Sequence, residues 1–174
     1  FLKKKKNLRI IDSSNLKGNI ELSFKSKFNS ILIQSMDNII FSKKNFKVVS
    51  KKKPSKETLN KLIFAFNVCR NIKSNAVVIT QNYKTVGIGS GQPSRLDSCQ
   101  LAINKMKKFQ NFKKNEELLA ASDAFFPFVD GIEKLVQSGV TAVIQPSGSK
   151  NDKDVIRFAN QTNTILVFSK TRHF

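Results

Sequence analysis

The sequence predicts a layered α/β fold, a sheet held between helices. Three observations carry that expectation. The last third alternates short apolar runs with amphipathic segments, residues 54–73 carry an unbroken helical stripe, and the connections between such segments are short.

Taken in order, residues 1–50 hold short alternating segments, "LRII", "IELSF", "SILIQSMDNIIF" and "KVVS", which read as strands or loose connections, with Asp37-Asn38 a turn between two of them. "PSKETLNKLIFAFNVCRNIK" reads as a helix. Ser55 can cap it, Glu57 lies in its first turn, and Leu59, Leu62, Ile63, Phe66 and Cys69 share one face. "NAVVIT" follows as a buried strand, "QNYK" as a turn, and "TVGIGSG" as a strand entering a glycine loop. A second helix is predicted over 94–109, with Leu96, Cys99, Ile103 and Met106 inward. "ELLAASDA", "VTAVIQP" and "TILVFS" then read as strands. The helices "GIEKLVQSG", stopped by Gly139, and "DKDVIRFANQT" separate them.

The 174 residues suffice for one domain with a real core or two small ones, and the 40% apolar content, with 15 Phe, supplies that core. A balance of 31 Lys+Arg against 12 Asp+Glu gives +19, which ordinarily points to nucleic acid or an anionic membrane. Here the excess is mostly Lys beside abundant Asn, Ile and Phe and no Trp, the pattern of an A/T-biased coding sequence. The run Lys3 to Lys6 reads as a solvated segment. Cys69 and Cys99 have no metal-ligand spacing, and His173 is the only histidine, so zinc and a disulfide framework are both disfavoured and a reduced cytosolic setting fits. No apolar run approaches the roughly 20 residues of a membrane span. The first residue is Phe rather than Met, as expected of a piece of something longer.

Ligands of α/β sheets gather where strand ends meet helix N-termini. Four such places carry unusual residues. In "KSNAV", Ser74 and Asn75 open a buried strand, Asn75 serving as a turn residue or as something more. "GIGSGQPSR" spaces Gly87, Gly89 and Gly91 so that a backbone or a ligand can approach closely. It fits neither the phosphate-cradling P-loop nor the dinucleotide fingerprint. Its Arg95 opposes the helix dipole at a first turn, where an anion or carboxylate would explain it. In "SDAFFPFVD", packing is expected to account for two of the rings Phe125, Phe126 and Phe128, and Pro127 to end the strand. Packing does not account for Asp123 in a strand that otherwise reads buried. Asp130 can cap the next helix. "QPSGS" leads Ser147, Gly148 and Ser149 into a helix N-terminus, offering N–H groups to an anion or forming a capped turn.

Assembled in order, "KKKNLR", "KVVSKKKPSKETLNKLIFAFNVCRNIKSNAV", "VGIGSGQPSR", "SDAFFPFVDGIEKLVQSGVTAVIQPSGS" and "TRHF" closely resemble the C-terminal half of the formyltransferase domain of the bifunctional purine-biosynthesis family. That family combines AICAR formyltransferase with IMP cyclohydrolase. The resemblance spans nearly the whole chain and is weakest over 15–41. It implies a cytidine-deaminase-like layered architecture with a mixed sheet flanked by helices. Residues 1–50 would link to a missing upstream half, and 51–174 would form the C-terminal transferase subdomain. The implied reaction moves a formyl group from 10-formyltetrahydrofolate to the 5-amino group of AICAR ribonucleotide, before ring closure to IMP.

The same resemblance implies roles for particular residues. Asn75 orients the nucleotide near the reacting groups, Arg95 and Arg172 hold the nucleotide, and Phe125 lies against its base. Pro127, Phe128 and Asp130 form the folate pocket, with Ser149 a polar contact there, and Asp123 stands beside a monovalent-cation site, potassium being the candidate. The family's Lys-His pair, in a K-H-x-N-P-C-G-like motif, is absent, and Val129 stands where bacterial relatives usually have Arg. The isolated chain is therefore expected to be inactive, and the family's site lies at a homodimer interface in the cytoplasm. Two alternatives stand beside this reading: a basic nucleic-acid-binding module driven by the +19, and a nonfunctional remnant.

Overall fold

The computed structural model describes residues 8–9, 11–12, 14–15, 22–36, 43–108 and 116–172. They fall in two units, Phe1–Ile40 and Phe41–Phe174. In the first, β1 (Leu22–Lys27) and β2 (Ser30–Ser35) form an antiparallel hairpin with Phe24 opposite Ile33. Its two-residue turn puts Phe28 at φ 53; β1 starts within the expected "IELSF" segment and runs on to Lys27, and β2 takes the first part of the expected "SILIQSMDNIIF". The described residues of "LRII" take no regular structure, and the Asp37-Asn38 turn lies outside the described residues.

The second unit opens with a 3-10 turn, Lys43–Asn45, and β3 (Phe46–Val48). Then come α1 (Lys56–Cys69), β4 (Val77–Gln81), β5 (Lys84–Gly89) and α2 (Arg95–Lys108). The chain continues through β6 (Leu118–Ser122), α3 (Val129–Gln137), β7 (Val140–Pro146), α4 (Asp152–Gln161) and β8 (Ile165–Ser169). Six strands make one mixed sheet in the order β3-β8-β7-β6-β4-β5. The expectation of an α/β layered fold holds: β6, β7 and β8 run parallel, while β3, β4 and β5 each pair antiparallel with a neighbour. β3 lies within residues 1–50 yet joins this sheet at its edge.

Local chemistry sets the element ends. Ser55 caps α1 by accepting the Thr58 N–H at 3.0 Å. Asn82, at φ 54, turns β4 into β5 where "QNYK" was expected to turn, and Gly139, at φ +99, follows α3. The stripe of α1 is centred slightly differently than periodicity suggests: Leu62, Ala65, Phe66 and Cys69 are buried, whereas Leu59 is only half-buried.

The core divides between the two faces of the sheet. Val77, Ile79, Ala120 and Val143 point to the side of α2, α3 and α4, and Val78, Leu119, Ala121 and Ile144 to that of α1. Because both faces are covered, the central strands read as continuous apolar runs. The alternating glycines serve this packing. A Cβ on Gly87 would stand 2.1 Å from the Ala102 carbonyl oxygen, and one on Gly89 would stand 1.8 Å from that of Ser98. Of the two readings left open for this loop, the close approach at Gly87 and Gly89 is that of helix backbone.

Strand direction is what positions the site. The parallel strands β6, β7 and β8 all end at one edge of the sheet. β4 runs opposite to β6, so it starts there; β5, opposite to β4, ends there. Residues 74–75, the 89–95 loop, 123–130, 147–151 and 170–172 therefore converge on one edge, as expected for ligand sites of open α/β sheets.

Candidate functional site

Arg95 sits in the first turn of α2 with its side chain largely covered, and it joins most of what surrounds it. Nε donates to the Phe125 carbonyl at 3.0 Å. Nη1 donates to Ser122 Oγ at 3.2 Å and to Asp123 Oδ1 at 2.5 Å, and Nη2 donates to Asn75 Oδ1 at 3.0 Å. Among the described residues four of the five guanidinium N–H groups have partners and one on Nη2 has none. Asp123 is 1% exposed. It would be costly alone, but Arg95 takes one of its oxygens and the Ser74 hydroxyl the other, and its N–H donates to the Ala76 carbonyl at 3.2 Å.

Asn75 is fixed from both ends. Its Nδ2 donates to the Gln92 carbonyl at 2.9 Å and the Pro93 carbonyl at 3.2 Å. Oδ1, held by Arg95, keeps one lone pair. The peptide before it, Ser74-Asn75, is cis.

Two adjoining clefts open over this network. One, of about 370 Å³, is lined by Asn75, Pro93, Arg95, Phe125 and Arg172 among others. The second, of about 250 Å³, is lined by Leu96, Phe126, Phe128, Asp130 and Gly131. Ser94, Arg95 and Pro127 belong to both. Leu96, expected to face the core, is half-buried and lines the second cleft instead.

The phenylalanine corner differs from the packing expectation in an informative way. Only Phe126 is fully buried, at 1% exposure. Phe125 is half-buried, and Phe128 is 63% exposed. Gly131 makes room for Phe126, since a Cβ there would meet the ring at 2.7 Å. Packing thus explains one ring of three, leaving Phe125 and Phe128 as aromatic surface inside the clefts.

Asp130 is not the residue before a helix but the second residue of α3, and it is exposed. Its Oδ1 accepts the Gly131 N–H at 2.7 Å, and Oδ2 has no partner among the described residues. Arg172 follows β8, is exposed, and lays its guanidinium carbon 4.5 Å from the Phe125 ring centroid.

Ser149 lines neither cleft. The "QPSGS" loop is a turn filled by its own carboxylate, because Asp152 accepts the N–H groups of Gly148 at 2.8 Å and Ser149 at 3.2 Å. The Ser149 hydroxyl accepts the Asn151 N–H at 3.1 Å, and the Asn151 amide reaches the Pro127 carbonyl at 2.5 Å, tying this turn to the phenylalanine corner. Sequence reasoning missed Ser122 and Asn151. Ser122 could have been suspected as a polar residue ending the run "LLAAS", while nothing marks Asn151.

The two cysteines are free, buried thiols. Burial pushes the Cys99 thiol from about 9 up to about 12, against the opposing influence of Arg95. Burial also raises Cys69, with the Asp123 charge adding to it. Both are free and buried, so neither is a nucleophile at neutral pH. Among the described residues no cluster of three His, Cys, Asp or Glu side chains can hold a metal ion. No described helix is long and apolar enough to cross a membrane.

Comparison with known proteins adds to this geometry. The sequence model of the AICARFT/IMPCHase bienzyme family matches residues 1–105. The chain is 42% identical over 175 residues to the bifunctional purine biosynthesis protein PurH of Buchnera aphidicola subsp. Schizaphis graminum, covering 100% of this chain and 33% of that protein. To PurH of Leuconostoc mesenteroides subsp. mesenteroides it is 40% identical over 177 residues, covering 100% of this chain and 34% of that protein. The chain thus spans about a third of the length of the curated relatives it matches. These matches establish the family, and the share of each relative covered does not by itself say which third of it this chain corresponds to. Among solved structures, dCMP deaminase from the cyanophage S-TIM5 in apo form aligns with a TM-score of 0.42 and 18% identity, covering 65% of this chain and 98% of that one.

Proposed function

The chain belongs to the AICARFT/IMPCHase bienzyme family, and from that premise we propose that its two clefts are the substrate wall of a formyl-transfer site in a longer, cytosolic purine-biosynthesis enzyme. The larger cleft takes AICAR ribonucleotide, and the smaller takes the pterin of 10-formyltetrahydrofolate. The observation that carries the reading is that the two clefts share one wall, Ser94, Arg95 and Pro127, so that two ligands bound side by side meet there.

The chemistry explains why such a wall is needed. The amine to be formylated is a poor nucleophile, because its lone pair is delocalised into a ring bearing a carboxamide. Its reaction depends on orientation, a proton acceptor, and stabilisation of the oxyanion. Orientation falls to this chain. The spare lone pair on Asn75 Oδ1 accepts an N–H of the amine, and the spare N–H on Arg95 Nη2 donates to a neighbouring carboxamide oxygen. Phe125 supports the heterocycle, and Arg172 meets the sugar phosphate. In the smaller cleft Phe128 and Pro127 form the apolar slab for a planar pterin, and the unpartnered Oδ2 of Asp130 accepts its N–H edge. The donated formyl group comes from the folate cosubstrate. Among the described residues Ser149 reaches that cleft through Asn151 and the Pro127 carbonyl.

Potassium has no part in this reading. Asp123, placed beside that ion by resemblance, accepts one hydrogen bond on each oxygen, from Arg95 and from Ser74, and each oxygen keeps a further lone pair, so the ion is neither required nor barred here. The nucleic-acid alternative is disfavoured by the site itself, since among the described residues Arg95 and Arg172 are the only basic ones lining the larger cleft and Arg95 is already paired. The sequence holds no Lys-His pair, so the proton acceptor and the oxyanion partner come from chain outside these 174 residues, in an assembly completed by a second subunit.

Isothermal titration of the 174-residue chain is expected to show binding of both ligands while a formylation assay shows no turnover. Asp130→Asn weakens folate binding about tenfold, the loss of one charge-assisted hydrogen bond, and leaves nucleotide affinity unchanged. Equal loss of both, or formylation by the isolated chain, overturns the reading.

A further inference from the structure

Pro127 borders both clefts, yet it has no N–H, so its carbonyl is the one hydrogen-bonding group its backbone offers. Asn151, 24 positions on, takes that carbonyl, its Nδ2 donating at 2.5 Å. The helix that Asn151 precedes does not use this side chain. Ser149 and Asp152 close the entry to α4 reciprocally. The Ser149 hydroxyl accepts the Asn151 N–H, while the Asp152 carboxylate accepts those of Gly148 and Ser149. Among the described residues the Asn151 side chain accepts no N–H from α4. The turn thus fixes the Asn151 backbone and leaves its amide to reach the loop that follows the neighbouring parallel strand, β6. In that loop Phe126 is 1% exposed and Phe128 is 63% exposed, so Pro127 stands where the chain leaves the core.

We propose that Asn151 is a positioning residue for both clefts, clamping the loop after β7 onto the wall that the two ligands share. This rests on the two-ligand reading above and deepens it. With the clamp in place, Pro127 and the Phe128 ring that follows it are set before either ligand arrives, and a preset wall binds more tightly than one that must be ordered. Without the clamp, residues 127–128 shift and both clefts lose their fit together, while the core beneath stays closed.

The test is titration of the 174-residue chain with an aminoimidazole-carboxamide ribonucleotide and with 10-formyltetrahydrofolate, beside urea unfolding, for wild type, Asn151→Ala and Asn151→Asp. Asn151→Ala removes the donor and is expected to weaken both ligands by about three- to tenfold, the contribution of one hydrogen bond. Asn151→Asp cannot donate to a carbonyl either, but its charge suits the N-terminus of α4. It is expected to weaken both ligands at least as much while the urea midpoint stays at or above that of wild type. Falling affinity beside an unmoved or rising midpoint is the signature, because a bond that only held the fold would lower the two together. If wild type binds both ligands and Asn151→Asp keeps both affinities, loses only one, or loses affinity and midpoint together, the positioning role is wrong and the two-ligand reading survives. If wild type does not bind both ligands, the two-ligand reading fails and the positioning role falls with it.

Discussion

Arg95 and Arg172 line the same cleft, but one belongs to the architecture and the other to the surface. Arg95 is largely covered and distributes four N–H groups over Asn75, Ser122, Asp123 and Phe125. Arg172 is exposed and touches an aromatic face. The same contrast runs through the carboxylates. Asp123 is 1% exposed with both oxygens engaged, whereas Asp130 keeps an oxygen open to the smaller cleft. An inner wall satisfied within the protein holds shape, and an outer rim keeps groups free to meet the proposed ligands. Residue type alone does not separate the two roles.

Breaking the inner wall has the largest expected effect. Arg95→Met leaves Asp123 buried without its countercharge and lowers stability by about 3 to 5 kcal/mol, read by urea unfolding. Adding Asp123→Asn restores most of the loss, because the uncompensated charge is gone. A single variant as stable as wild type would dissolve the distinction between the two arginines.

Ser122→Ala probes the same wall more gently. The hydroxyl donates to the Ala124 carbonyl at 2.7 Å and accepts from Arg95, so its removal costs about 1 kcal/mol in the same unfolding experiment. Smallest of all in stability is Phe128→Ala on the rim. At 63% exposure the ring contributes little to the core, so the free energy of unfolding stays within about 0.5 kcal/mol of wild type while folate binding is lost. A large stability loss would place Phe128 with the inner wall.

How much of this was legible in advance varies from residue to residue. The cap at Ser55, the turn at Asn82 and the stop at Gly139 are local effects, and each is found where the sequence suggested. The alternation that predicted an α/β fold is equally local. The loop "QPSGS" shows where legibility stops. Its N–H groups suit an outside anion or the chain's own carboxylate, and only the fold shows Asp152 four residues on taking them. Likewise three phenylalanines in four positions read alike, yet one is buried, one half-buried and one exposed, because their neighbours come from distant segments.

The sequence by itself determined the elements, their order and the residue types available at the strand ends, because helical and strand periodicity, caps and turns depend on residues within a few positions of one another. Only the tertiary structure decided that Asp123 pairs with Arg95, 28 positions away, that Gly87 and Gly89 admit a helix, and that Arg172 comes to rest on Phe125. Those pairings follow from strand direction in the mixed sheet, which brings five strand ends to one edge, and short-range sequence pattern carries no record of strand order.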